Sequence, residues 1–313
     1  MKRCNRSAVV LPSLVLLACA AGCGGSNGNQ SPSLIRTCPT SGIFSFKQVD
    51  YTGDTAFTQL LGVNNGGTIA GYHGSGADAA HPNKGFTISP AGAFGDENFS
   101  GSAQTQVVGI NSGGDTAGFY VDAGGTTHGF LHLGNAFTTA DAPGTAFNQL
   151  LGLNDSGVAA GYSQEASGVQ HPYTLRAGVY TMITTPGASA QATGVNNAGD
   201  VSGFYADAST MHGFLIPAGK TLTVLDYPGA TLTQALGVNN DGDLVGTYND
   251  SANATHGFIY NAGSGKFESI DAPLGVGTTV VNGLNDSGEI VGFYADTAKN
   301  NHGFTGTITA CRQ

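Results

Sequence analysis

The chain has no Trp, only three Met, and few charges: 11 Lys and Arg with 21 Asp and Glu make up 10% of its 313 residues. An average soluble domain carries roughly 25% charged residues. That scarcity excludes a coiled coil or other long-helix protein, which needs abundant Glu, Lys and Arg. The shortage of basic residues, with a net charge of −10, excludes the basic footprint of a nucleic-acid binder. No stretch beyond the N-terminus is apolar over the roughly 20 residues of a membrane span. What the sequence has in excess is glycine, 50 residues, beside 11 Pro. Together they make about a fifth of the chain, below the roughly 25–30% of a disordered low-complexity chain. The 40% of hydrophobic residues is enough for a core.

Residues 1–22 read as an export signal. Lys2, Arg3 and Arg6 form a positive start, and Ala8 to Ala21 an uncharged, mostly apolar stretch. It runs into Ala20-Ala21-Gly22-Cys23, which resembles a bacterial lipobox, with small residues before a Cys that is lipidated. Leu16-Leu17-Ala18-Cys19 is a competing lipobox, and plain secretion a third reading. Cleavage before Cys23 leaves Cys38 and Cys311 as a pair, whereas cleavage before Cys19 leaves Cys23 as an odd thiol. Loss of the signal removes three of the 11 basic residues and no acidic one, taking the net charge to −13. The expected location is therefore the cell envelope, with membrane contact through a lipid anchor only. Residues 23–37, rich in Gly, Ser and Asn, read as the lipidated Cys and a flexible tether.

From there one phrase recurs six times. Its leading glycines are Gly62, Gly109, Gly152, Gly194, Gly237 and Gly283, at spacings of 47, 43, 42, 43 and 46. Each is followed by an aliphatic residue, Asn, and a polar turn that ends in Gly. This period suits a four-stranded propeller blade. In residues 222–268 and the few that follow, strands are predicted over Leu232 to Val238, Asp243 to Tyr248, Gly257 to Asn261 and Phe267 to Asp271. The Asn-Asn-Asp-Gly turn supplies residues that tolerate positive φ. No segment shows a helical apolar period, so the chain is all-β.

The last unit stops after its third strand, His302 to Thr309, and the missing fourth sits at the other end, Phe44 to Asp50. The sequence thus predicts a six-bladed β-propeller over residues 38–312, closed by its N-terminal strand. Cys38 and Cys311 flank the join. A disulfide needs Cα atoms within about 7 Å, which a closed ring supplies and an open solenoid does not.

The leading phrase, the strand that ends in Phe or Tyr, and the tripeptide His-Gly-Phe at His128, His212, His256 and His302 resemble the bacterial extracellular repeats of the HAF family. Two units depart, with His81-Pro82-Asn83-Lys84-Gly85-Phe86 and His171-Pro172-Tyr173. The resemblance covers all six units and implies an exported β-repeat protein, but no ligand or activity.

Binding groups usually sit on loops held by a rigid scaffold. The longer polar loops, between strands two and three and between blades, are expected to share one face. Candidates there are Tyr72, Tyr120, Tyr162, Tyr205, Tyr248 and Tyr294, which end the second strands, and Gln59, Gln106, Gln149, Gln191 and Gln234. The competing role for both sets is packing and hydrogen bonding between blades. The repeated His81, His128, His171, His212, His256 and His302 are read as structural, each bonded to a loop carbonyl or an Asp such as Asp141, Asp226 or Asp271; a metal ring is the alternative. Among non-repeating residues, Asp96, Glu97, Glu165 and Asp241 are the candidate acid–base carboxylates, and His73 and His132 are extra histidines. Gly24-Gly25-Ser26-Asn27-Gly28 matches a hydrolase pattern but lies in the tether, not at a strand–turn–helix elbow. No cofactor motif survives its context. The sequence favours a monomeric binding module for a protein, glycan or small polar ligand. An extracytoplasmic hydrolase or lyase at the channel, or a structural envelope protein, are the alternatives.

Overall fold

In a computed structural model, which describes residues 43–309, six antiparallel sheets of four strands each follow one another around a ring. The described residues contain no helix. Blade two shows the plan: Gln104–Ile110 innermost, then Thr116–Val121, Thr127–Leu133 and the outer Ala136–Thr139. The expected strands of blade five lie at Leu232–Val238, Leu244–Asn249, Thr255–Asn261 and Lys266–Ile270.

The repeated phrase makes the first turn of each blade. In blade two the Asn111 carbonyl accepts the Gly114 N–H at 3.1 Å, and its side-chain oxygen accepts the Asp115 N–H at 2.9 Å. Gly114 closes the turn at φ +84°, a conformation that side chains disfavour.

The core lies between blades and is built on one pairing. The aromatic residue of each tripeptide faces a glycine of the second strand: Phe130 opposite Gly118, Phe214 opposite Gly203, Phe258 opposite Gly246. A Cβ on Gly118 would lie 2.9 Å from the Phe130 ring, so the glycine is what lets the ring lie flat on the strand. Phe86, Phe130, Tyr173, Phe214, Phe258 and Phe304 are all fully buried. Each contributes about 1.5–3 kcal/mol relative to exposure.

The ring closes as the sequence predicts. The sheet that holds Thr279–Leu284 and Glu289–Ala295 continues through Asn301–Thr309 to the N-terminal Ile43–Val49. Ile43 pairs with Thr309 and Val49 with Gly303 in unbroken antiparallel register. Cys19, Cys23, Cys38 and Cys311, and with them the signal, tether and disulfide, lie outside the described residues.

Candidate functional site at the channel mouth

The candidate tyrosines do not form an exposed rim; all six are buried. They also fall into two sets, because side chains alternate across a strand. Tyr120, Tyr205, Tyr248 and Tyr294 pair in register with His128, His212, His256 and His302, with ring centroids 5.0, 5.1, 5.2 and 5.4 Å apart. Tyr72 and Tyr162 stand one register place earlier, opposite Gly85 and Pro172. Their hydroxyls therefore turn the other way and donate to Gln59 and Gln149 at 2.7 and 2.8 Å. Burial raises the Tyr72 and Tyr162 hydroxyls far above their ordinary pKa. The five glutamines are likewise buried. Gln106 donates to Asn83, Gln191 to Gln170 and Gln234 to the Met211 sulfur, each on the preceding blade.

Four histidines are held on both ring nitrogens. Nδ1 meets the carboxylate that ends the sheet, Asp141, Asp226, Asp271 or Asp50, at 2.6–3.1 Å. Nε2 meets the carboxylate that opens the preceding loop, Asp122, Asp207, Asp250 or Asp296, at 3.1–3.5 Å. These nitrogens are thereby engaged with carboxylates. His171 bonds Glu165 at 2.7 Å. His81 lies off the strand, paired with Asp78 at 3.0 Å, and Lys84 takes the blade-one place that His128 holds in blade two. Among the described residues no three His, Cys, Asp or Glu side chains gather as metal ligands would.

The His–Asp sets imply a pH dependence. The bond to Asp226 holds the His212 pKa above its ordinary value. Burial of His128 works against its charged form, but Asp141 and Asp122 outweigh it and the net shift is upward. A raised folded-state pKa means the charged form is stabilised by folding. That contribution is complete below the unfolded value of about 6.5 and is lost as pH rises through the folded value. The melting temperature is therefore expected to fall as pH rises above about 6.5, and less steeply in His128→Gln and His212→Gln. An NMR titration that put both histidines at or below that ordinary value would contradict this.

The non-repeating carboxylates do not assemble a catalytic pair. Glu97 accepts from Thr116 at 2.7 Å and meets His132 at 2.5 Å between blades one and two. Glu165 is engaged with His171 in blade three, and Asp241 lies in the first turn of blade five. His73 stacks on Tyr51 at 3.8 Å.

A cavity of about 70 Å³ opens instead at the axis, on the face of the Asn-rich turns. Sequence reasoning looked to the other face. Three residues per blade build this mouth. First is the last residue of each inner strand, Val63, Ile110, Leu153, Val195, Val238 and Leu284, all but Val238 packed in the apolar clusters between blades. Next comes Asn64, Asn111, Asn154, Asn196, Asn239 or Asn285. Asn64, Asn154 and Asn196 each donate their side-chain amide to the carbonyl of the next blade's Asn at 2.9 Å, and Asn285 closes the circle onto Asn64 at 3.0 Å. Outermost are Asn65, Ser112, Asp155, Asn197, Asn240 and Asp286.

The outer residues also join neighbouring blades. Asp155 accepts the Ser112 N–H at 2.7 Å and the Asn197 amide at 2.7 Å. Asp286 accepts the Asn240 N–H at 2.9 Å, and the side-chain amides of Asn240 and Asn65 at 2.7 Å each. Partial burial pushes the Asp155 pKa up, but the Ser112 N–H and the Asn197 amide outweigh it and hold the carboxyl below its ordinary value. Asp155 is therefore ionised at neutral pH. The sequence did carry a signal for both aspartates: Asn-Asp-Ser-Gly replaces the commoner amide pair in units three and six, which a ring of six places across the axis from each other.

The chain matches no protein-family model and no curated protein sequence. Solved structures define its class, that of six-bladed β-propellers. A TolB-like protein from Agrobacterium tumefaciens is 11% identical, with a TM-score of 0.58 over 81% of this chain and 91% of its own. TolB from Acinetobacter baumannii is 11% identical, with a TM-score of 0.54 over 82% of this chain; the match spans 66% of the TolB chain. The Aleuria aurantia lectin, solved with α-methyl-L-fucoside, is 11% identical, with a TM-score of 0.51 over 80% of this chain and 91% of its own. At these identities the likeness is one of fold.

Proposed function

We propose that the protein is an exported binding module of the HAF-repeat kind, anchored to the bacterial envelope through lipid on Cys23. The observation that carries the binding role is the channel mouth, a concave site with a polar rim on a closed, rigid ring. The signal and lipobox support the location, and a diacylglyceryl mass on Cys23 of the mature protein reads the anchor directly. Propeller neighbours that include TolB proteins and a sugar-binding lectin are in keeping with a binding role, though fold alone does not assign one.

The test is a thermal-shift screen of the mature protein against small polar metabolites, cell-wall glycans and divalent metals. A ligand at a hundred times its Kd adds about 2.7 kcal/mol of apparent stability. A reproducible shift lost on substitution of rim residues is the expected result. A screen in which no compound moves the melt, with no crosslinked partner in the native envelope, would remove the binding reading.

A further inference from the structure

We infer that the outer edge of blade three pairs with the same edge of a second copy of this chain, so that two propellers join through one antiparallel strand pair. The inference goes beyond the binding reading and is independent of it. It also replaces the monomer that the sequence suggested.

The outer strand of each blade has one neighbour in its sheet, so part of its backbone faces outward. Natural edges are protected by charge, Pro or a bulge. The outer strand of blade one carries Asp96, that of blade five Lys266 and Glu268, and that of the closing sheet Lys47. Blade three has none of these protections. Its outer strand, Val179–Met182, pairs in regular register with Gln170–Arg176, and no Asp, Glu, Lys or Arg occurs between Arg176 and Asp200. Blades two and four also end in uncharged strands, but Ala136–Thr139 exposes only Ala and Thr, and Thr223–Val224 is two residues long. In blade three Val179 and Met182 are 66% and 55% exposed. Side chains alternate across a strand, so these two lie on opposite faces and offer an added strand an apolar contact on each side. Met182 also lacks the internal duty of its counterparts. Opposite the tripeptide aromatic, blades two, five and six place Thr139, Ser269 and Gln48, each bonded to a second-strand tyrosine hydroxyl at 2.7–2.9 Å. Met182 holds that place in blade three, opposite Tyr173, while Tyr162 donates to Gln149 instead.

The register follows from the strand's own hydrogen bonds. The Ile183 N–H turns inward to the Pro172 carbonyl at 2.9 Å. Bonded and non-bonded pairs alternate along an antiparallel ladder, so Val179 and Thr181 also turn their backbone groups inward. Tyr180 and Met182 turn theirs out. An antiparallel copy centred on Thr181 puts Tyr180 opposite Met182 of the second copy, and Met182 opposite its Tyr180. Each pair exchanges two bonds, and Thr181 stands opposite itself. Charge selects the occupant. With a net charge of −10, two copies of the chain repel, and this edge lets them meet without bringing like charges into contact. A basic or acidic strand would find no opposite charge there, whereas self-pairing sets uncharged against uncharged and apolar against apolar.

The test is sedimentation velocity of the mature protein in detergent, from micromolar to millimolar, with hydrogen exchange at the Tyr180 and Met182 amides. The contact is small, of the transient class below about 1,200 Å². A reversible dimer that grows with concentration is expected, with both amides slowing as it forms. Thr181→Lys and Thr181→Glu each place like charges directly opposite one another and are expected to weaken the dimer about fivefold. An equal mixture of the two variants restores it, because the facing charges are then opposite. Met182→Pro removes an outward N–H, which an edge strand tolerates, and is expected to abolish the dimer. Should that variant fail to fold, the exposed Thr181 pair asks the same question. A monomer at every concentration would overturn the proposal. So would a dimer indifferent to all three substitutions, which would place association on the lipid or another surface. A monomer whose two amides slow only on addition of an extended uncharged peptide would give the edge to a foreign strand and overturn the second copy. None of these outcomes bears on the metabolite and glycan screen, which tests the binding reading separately.

Discussion

Exported protein digested without reductant is expected to yield one peptide that joins Cys38 to Cys311. The register of the closing sheet is the reason. Ile43 stands opposite Thr309, so Cys38 lies five residues outward of one strand end and Cys311 two residues beyond the other. Each residue spans at most about 3.3–3.6 Å, and a disulfide requires Cα atoms about 4.4–6.8 Å apart. The paired Ile43 and Thr309 mark the same end of one strand pair, and the five and two residues from there to the cysteines are short enough to permit the link. The loop they would close contains the whole propeller, and loop-entropy reasoning gives such a link about 5–6 kcal/mol. At the usual entropy of unfolding per residue, that is about 10 °C in Tm for a domain this long. Cys38→Ser, Cys311→Ser and the double variant are expected to lose the same amount, because each removes one shared bond. Two free thiols in the exported protein, or a melt indifferent to reductant, would refute the link.

The fold was legible because its instructions are repeated and local. Each blade carries its own turn signal, its own glycine for the aromatic ring to lie on, and its own tripeptide, so six copies of a weak pattern become a strong one. Ring closure was legible because a strand is missing at one end and present at the other. The side-chain roles were harder to read. Tyr72 and Tyr120 look equivalent in sequence, yet one register step sends their hydroxyls to opposite sides of the sheet. Burial of the tyrosines and glutamines depends on how blades lean together, which no single repeat encodes. The mouth was overlooked because Asn-Asp-Ser-Gly satisfies the turn rules completely. Nothing local says that Asp155 and Asp286, 131 residues apart, belong to one rim. Only the count of six units puts blade three across from blade six.

A second large loss is expected at the axis itself. A methyl group added at Gly62 or Gly109 is expected to cost about 3 kcal/mol or more, as overpacking against rigid neighbours does. The inner strands pass so close that a Cβ on Gly62 would lie 2.4 Å from the Val108 carbonyl oxygen. On Gly109 it would lie 2.8 Å from backbone atoms of Gly152 and Leu153. These neighbours are main chain, held in turn by the next blade, so relief requires the ring to open. Each inner strand also slips register by one residue just before its glycine, as between Val107 and Gly109, which bends it past the axis. Gly95 provides the control, because a Cβ there would meet only the Thr87 hydroxyl at 3.5 Å. Gly95→Ala is expected to stay within about 0.5 kcal/mol of the parent, the usual range for such surface changes. Urea midpoints of the three variants make the comparison, with near-UV circular dichroism to report packing. Gly109→Ala with Gly152→Ala should be non-additive, since the added methyl of one presses on the backbone of the other. If Gly62→Ala and Gly109→Ala proved as mild as Gly95→Ala, the inner strands would have room at the axis. The rim that binds Asp155 and Asp286 into one circle would then lack the rigid ring that sets its size.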